Sequence, residues 1–262
     1  MSDLPSVLIT GASSGIGAVY ADRFARRGHD LVLVARDKAR METLADRLHS
    51  ETGVRIDIIQ ADLTKTEDLS TVSDRLRDDG DIGILVNNAG ASVGGRFVDQ
   101  SSEDLQRLVA LNAVAVTALA SAIAPRLAKA GTGAIINIGS VVGLAPEFGL
   151  TVYGATKAFV LFLSQGLALE LGPKGVYVQA VLPSGTRTEI WERSGADPEK
   201  LPPMMAVDDL VDAALAGFDL KEPVTIPPLH DAGLWENFQA ARQAMGPSFA
   251  QTTPAERYGF TA

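Results

Sequence analysis

Tyr153 and Lys157 stand four residues apart in Thr151-Val152-Tyr153-Gly154-Ala155-Thr156-Lys157, a spacing that puts both side chains on one face of a helix. A free phenol titrates near ~10 and exchanges protons poorly at neutral pH, whereas a nearby ammonium favours the phenolate and brings it toward the working range. The pair therefore reads as a general acid and base, unless the two simply share a solvated helix face. Ser140 ends an apolar, β-branched run, where its hydroxyl could hold a carbonyl or alcohol oxygen beside that phenol or cap a turn. Asn112 lies in a strongly apolar stretch, where an unpaired amide would be costly, so it requires a specific partner.

A second group of residues suits a phosphate. Thr10-Gly11-Ala12-Ser13-Ser14-Gly15-Ile16-Gly17 follows one apolar run and opens the next amphipathic one, where backbone N–H groups and a helix dipole can receive a pyrophosphate. Gly11 permits the sharp turn, Gly15 lets a ligand approach the backbone, and Gly17 lets the helix pack closely. The other reading is an ordinary glycine-rich turn.

These residues need a scaffold, and the chain predicts one. Ser6–Thr10, Leu31–Ala35, Arg55–Gln60, Ile82–Asn87, Ala134–Gly139 and Tyr177–Leu182 read as strands. Gly15–Arg27, Lys38–Thr52, Thr66–Asp79, Ser102–Ala128 and Val152–Leu171 read as helices. Nearly continuous apolar strands alternating with helices predict a doubly wound parallel α/β sheet, a Rossmann fold in a single domain over 1–262. Beyond about Thr186, prolines break the pattern; helices at Val207–Gly217 and Asp231–Met245, a short strand at Val224–Ile226 and a tail from Pro247 (247–262) are expected there.

The 262 residues carry 46% hydrophobic and 21% charged side chains, which excludes disorder, and zero cysteines exclude disulfides and thiolate chemistry. A formal charge of −9, from 23 Lys+Arg against 32 Asp+Glu, argues against nucleic acid and anionic membranes as partners. The charge-free window Leu108–Pro125 contains Asn112, Thr117, Ser121 and a proline, and reads as a helix buried in protein rather than a span. Met1-Ser2-Asp3 runs into apolar residues without a basic n-region, so a cytoplasmic protein is expected. His29, His49 and His230 are scattered without metal-ligand spacing, and no metal site is expected.

Thr10–Gly17, Asn87-Asn88-Ala89-Gly90, Asn112, Ser140 and Tyr153-x-x-x-Lys157, in this order and spacing, resemble the short-chain dehydrogenase/reductase family over roughly Ser6 to Thr188. The resemblance implies hydride transfer between NADP(H) and a carbonyl/secondary-alcohol substrate, with Tyr153 as general acid/base. Lys157 would hold the nicotinamide ribose and lower the Tyr153 pKa, Ser140 would orient the substrate oxygen, and Asn112 would hold a water in a proton relay. It implies coenzyme contacts at Gly11, Ser13, Ser14, Gly15, Ile16, Gly17, Asp62, Leu63, Asn88, Ala89, Gly90, Tyr153, Lys157, Pro183 and Thr188. Asp62 would contact the adenine amino group or, alternatively, cap the next helix. Asn87–Gly90 would be partly structural. Homodimers or homotetramers through the helices carrying Asn112 and Tyr153 are common among such proteins. A non-catalytic NADP(H)-sensing or scaffold protein on the same fold is the rival reading.

NADP(H) rather than NAD(H) follows from the end of the second strand, where Ala35 replaces the carboxylate that NAD enzymes use and Arg36 follows; Arg40, one turn on, adds positive potential. Asp37 is the reason for caution, because a shifted register would bring its carboxylate to the ribose. One departure from the family stands out: Pro183-Ser184-Gly185 has serine in the usual glycine position, which leaves a one-residue register uncertainty at Thr188. The poorly periodic stretch 189–205 reads as a substrate lid.

Overall fold

The computed structural model describes residues 4–189 and 203–259, which fall in two compact units, Met1–Pro227 and Pro228–Ala262. In the first, the described residues form a sheet of strands β1 Ser6–Thr10, β2 Leu31–Ala35, β3 Ile56–Gln60, β4 Ile82–Asn87, β5 Ala134–Ile138, β6 Tyr177–Val181 and β7 Val224–Thr225. All pair in parallel in the order β3-β2-β1-β4-β5-β6-β7. The Rossmann expectation holds, with strand ends within a residue of those predicted.

The apolar strands are explained by burial on both faces. Val7 and Ile9 of β1 enter one core with Tyr20 and Phe24 of α1 (Gly15–Arg26), Met41 and Leu48 of α2 (Lys38–Thr52), and Val211 and Leu215 of α7 (Val207–Asp219). Leu8, between them, enters the opposite core with Val72 and Leu76 of α3 (Thr66–Asp78) and with Leu119, Ile123 and Leu127 of α5 (Val116–Ala130). This period-2 partition lets every residue of a strand be apolar and still useful. Successive strands run outward from β1 toward β3 and from β4 toward β7, so the order reverses between β1 and β4. A crevice opens there, outside the strands' C-terminal ends.

The expected unbroken helix at Ser102–Ala128 differs. It is α4 (Ser102–Val109), a π-helical segment Ala110–Ala115, and α5. The widened turn carries Asn112, whose side chain is held by the loop opposite, and π segments of this kind concentrate at functional sites. The next long helix, α6, spans Thr151–Leu171.

In the second unit, α8 (Ala232–Ala244) is capped by Asp231, which accepts from Gly233 N at 2.9 Å. No residue of α8 is buried. Turns of 3-10 helix at Gly246–Ala250 and Glu256–Tyr258 occupy the expected tail.

Candidate active site

The glycine turn between β1 and α1 is locked by its neighbours. Gly11 has φ +66°, and a Cβ there would lie 2.8 Å from Asn88 Nδ2 and 2.9 Å from Ala89 Cα. A Cβ on Gly17 would lie 2.4 Å from Gly11 O, so a larger residue at either position would collide with backbone. Asn88 buttresses this turn: its Nδ2 donates to Thr10 O (2.9 Å) and Gly11 O (3.2 Å), and its N–H donates to Thr10 Oγ1 (3.0 Å). Ala89 N also donates to Thr10 Oγ1 at 3.0 Å. The Asn87–Gly90 segment thus acts on the cradle through structure. Ser13, Ser14, Gly15 and Ile16 form its half-exposed rim.

Thr188 lies across this rim. Its Cγ2 is 3.3 Å from a Cβ placed on Gly15. Pro183 ends the strand side of the loop, and its carbonyl accepts from Val141 N (2.9 Å) and Ser140 Oγ (3.2 Å).

The four proposed catalytic residues converge beyond β4 and β5. Lys157, 6% exposed, donates from Nζ to Ile138 O at 2.8 Å, and its Nζ is 5.7 Å from the Tyr153 ring centroid. Asn112, 1% exposed, clamps the chain after Gly90: Oδ1 accepts from Ala91 N (3.0 Å), while Nδ2 donates to Ala91 O (2.9 Å) and Thr156 Oγ1 (3.1 Å). Gly90 fits between them, since a Cβ there would be 3.4 Å from Asn112 Oδ1 and 3.5 Å from Lys157 Nζ. Thr156 Oγ1 donates onward to Tyr153 O at 2.7 Å. The sequence reading missed Thr156 and Ala91. Thr156 sits inside the Tyr-x-x-x-Lys motif, which was the available signal; its burial, 4% exposed, emerges only from the fold.

The electrostatics depart from expectation. Burial pushes the Tyr153 phenol up to about 12, against a hydrogen bond from Ser140 that favours the phenolate. The Lys157 ammonium, bonded to the Ile138 carbonyl, is itself brought down to about 8 by burial.

At the opposite end, Asp37 proves to be the N-cap of α2, accepting from Arg40 N at 3.1 Å. One carboxylate oxygen is thereby engaged in capping the helix. Arg36 is exposed and faces Asp62 at longer range. Arg40 does not add free positive potential: it is paired with Glu189 and lies 3.4 Å from Asp37. Asp62 does not cap α3, whose N-cap is Lys65. It accepts from Thr64 N (3.1 Å) and Thr64 Oγ1 (2.7 Å) instead. Burial works against its charge, but those bonds and the fields of Arg36 and Arg107 hold the carboxyl below its usual range. Leu63 is buried in the core, so what it offers the groove is backbone. Among the described residues no His/Asp/Glu cluster suits a metal; His29 and His49 bond to Pro5 O and Val54 O. Residues 190–202 of the expected lid lie outside the described residues, and its last residue, Met205, bridges to Thr186, ahead of its first.

A glycine cradle that a Cβ would fill, and the exposed Arg36 at the end of the second strand, fit a phosphorylated dinucleotide. Known proteins agree. A short-chain dehydrogenase from Sphingobium yanoikuyae, solved in complex with NADPH, is 63% identical, with a TM-score of 0.96 over 97% of this chain and 100% of that one. The bulky-bulky ketone specific alcohol dehydrogenase from Comamonas testosteroni is 61% identical, with a TM-score of 0.92 over 98% and 99%. A very-long-chain 3-oxoacyl-CoA reductase from Anas platyrhynchos is 34% identical over 190 residues, 70% of this chain but only 60% of that protein's length. The family model described as short chain dehydrogenase matches residues 5–199, and with most of the chain so matched, this protein belongs to the short-chain dehydrogenase family.

Proposed function

We propose that this oxidoreductase uses NADP(H) to interconvert a ketone carrying large substituents on both sides and its secondary alcohol. The observation that carries the reading is the convergence of Ser140, Tyr153 and Lys157 beside the glycine cradle at the crevice between β1 and β4. Identity above 60% to the Comamonas ketone enzyme, along nearly the whole chain, supports the substrate class.

Gly11, Ser13, Ser14, Gly15, Ile16 and Gly17 would hold the pyrophosphate, Arg36 the 2′-phosphate, Asp62 and Leu63 the adenine, Asn88, Ala89 and Gly90 the adenosine ribose, and Pro183 and Thr188 the carboxamide. When bound, the coenzyme supplies or accepts the hydride. The chain's own part is the proton. Tyr153 Oη gives a proton to the carbonyl oxygen in reduction and takes it back in oxidation. Ser140 Oγ exchanges its bond to Pro183 O for one to the substrate oxygen, fixing it beside the phenol. Lys157 holds the nicotinamide ribose and keeps a positive charge behind the phenol, while Asn112 fixes the turn at Ala91 that walls the site.

Exposed apolar side chains on α6, Phe162 (77%) and Leu169 (80%), with Val114 (54%) of the π segment, support a homodimer or homotetramer through these helices. Light scattering that returned a monomer's mass would overturn that part. Both stretches, Ser102–Ala130 and Thr151–Lys174, are long and apolar enough to cross a membrane. The buried Asn112 and Lys157 within them favour core helices of a cytoplasmic enzyme, which fractionation of the native cell would check.

The reading is tested by following NADPH oxidation with ketones bulky on both sides, methyl ketones and 3-oxoacyl thioesters. Preference for the first group is expected. Turnover of thioesters alone would overturn the substrate class, and NADPH binding without turnover of any carbonyl would favour the sensor reading.

A further inference from the structure

The loop after β6 touches the opposite wall of the groove twice, and the coenzyme assignment uses only one of the contacts. Thr188 lies over the glycine turn, as described. Glu189, the next residue, reaches the first turn of α2, where both its carboxylate oxygens accept from Arg40 Nη1 at 2.8 Å. Arg40 Nε faces Asp37 Oδ2 at 3.4 Å, so the guanidinium sits between two carboxylates and its charge is already balanced.

We infer that Glu189 is a positioning residue of the coenzyme site: its ion pair with Arg40 ties the nicotinamide-side loop to the adenosine-side helix and fastens Thr188–Glu189 across the groove. The inference rests on the NADP(H) reading above. A nucleotide lying in the cradle leaves only when this strap lifts, so the pair acts on release. It acts on both coenzymes alike, because the strap crosses the pyrophosphate region rather than the 2′-position. The side chains are 49% and 38% exposed, and such pairs contribute modestly, which corresponds to about a two- to five-fold change in rate.

The test is the rate of NADPH and NADH release from the full-length protein, followed by stopped-flow loss of nucleotide fluorescence on a chase with oxidised coenzyme. Glu189→Gln is expected to speed both releases about two- to five-fold, with the difference shrinking in high salt. The exchanged pair Arg40→Glu with Glu189→Arg should return NADH release toward wild type, while each single change leaves it fast; a merely structural role would show no such rescue. Unchanged release of both nucleotides in Glu189→Gln would overturn the strap. Slower release of NADPH alone would also overturn it, because Glu189 would then be competing with the 2′-phosphate for Arg40. No saturable binding of either nucleotide by the wild type would overturn the coenzyme reading, and this inference with it.

Discussion

At the end of the groove walled by the π segment and α6, the polar groups are buried and bonded: Asn112 is 1% exposed with three hydrogen bonds, and Lys157 is 6% exposed against the Ile138 carbonyl. At the other end, Arg36 and Arg40 on the approach to α2 are exposed, and Arg40 is balanced by acids. Proton transfer needs fixed, desolvated donors, whose electrostatic interactions are strong and whose loss leaves partners unsatisfied. Recognition of a phosphate can use solvated cations, which are screened and individually weak. Substitutions at the buried end should therefore be large and insensitive to salt, and those at the exposed end smaller and salt-dependent.

The largest effect is expected at Tyr153. Tyr153→Phe keeps the ring packed and removes the ionisable oxygen, so hydride transfer in a single turnover should fall by at least ~100-fold. NADPH affinity should change little. Near wild-type turnover by a folded variant would remove Tyr153 from the mechanism and end the contrast between the two regions.

Asn112→Ala comes next, because it removes the partners of the half-buried Ala91 N–H and C=O and one of the two partners of the Thr156 hydroxyl, which keeps its bond to Tyr153 O. Leaving such groups unpaired costs about 1–3 kcal/mol, which denaturant unfolding should register together with reduced activity. Unchanged stability would mean that the buried end is less tightly built than its bonds suggest.

How much of this was visible beforehand follows the same division. The strands and the glycine turn could be read because they rest on local pattern and sterics, and Asn112 declared itself as an amide in an apolar helix. The π segment was hidden, since one widened turn over Ala110–Ala115 leaves the apolar periodicity of Ser102–Ala128 intact. Glu189 and Arg40 are 149 residues apart, and only the fold makes them partners. Asp62 had two candidate tasks, and the structure removes the helix cap, since Lys65 is the N-cap and Asp62 bonds to Thr64; that Asp37 caps α2 was not foreseen. The Tyr153 and Lys157 spacing was legible but its electrostatic sign was not, because depth of burial is not written in a spacing.

The pH dependence sharpens that last point. Burial lowers Lys157 to about 8 and raises Tyr153 to about 12. Below pH 8 the lysine is charged and the phenol protonated; as pH rises through 8 the ammonium is lost while the phenol keeps its proton. kcat/KM for NADPH, which reports groups of the free enzyme, should therefore fall about tenfold per pH unit above 8. Lys157→Arg, charged throughout this range, should abolish that limb whatever it does to the absolute rate. An alkaline limb that persists unchanged in Lys157→Arg would assign it elsewhere.

The smallest effect belongs to Arg36. Its guanidinium is solvated, and Asp62 nearby shares its field, so a charge-assisted bond to a 2′-phosphate should be worth about 1.5 kcal/mol, near the low end for charged partners. Arg36→Ala should then weaken NADPH binding about tenfold and NADH binding hardly at all, and the loss should diminish as salt screens the wild-type contact. Arg40→Ala offers the control within the same region. With its charge already balanced by Glu189 and Asp37, it should not alter the ratio of NADPH to NADH affinity, although both nucleotides should leave faster. Isothermal titration of the two coenzymes into both variants decides the matter. Equal losses for NADPH and NADH in Arg36→Ala, or a selective NADPH loss in Arg40→Ala, would move the phosphate from one arginine to the other.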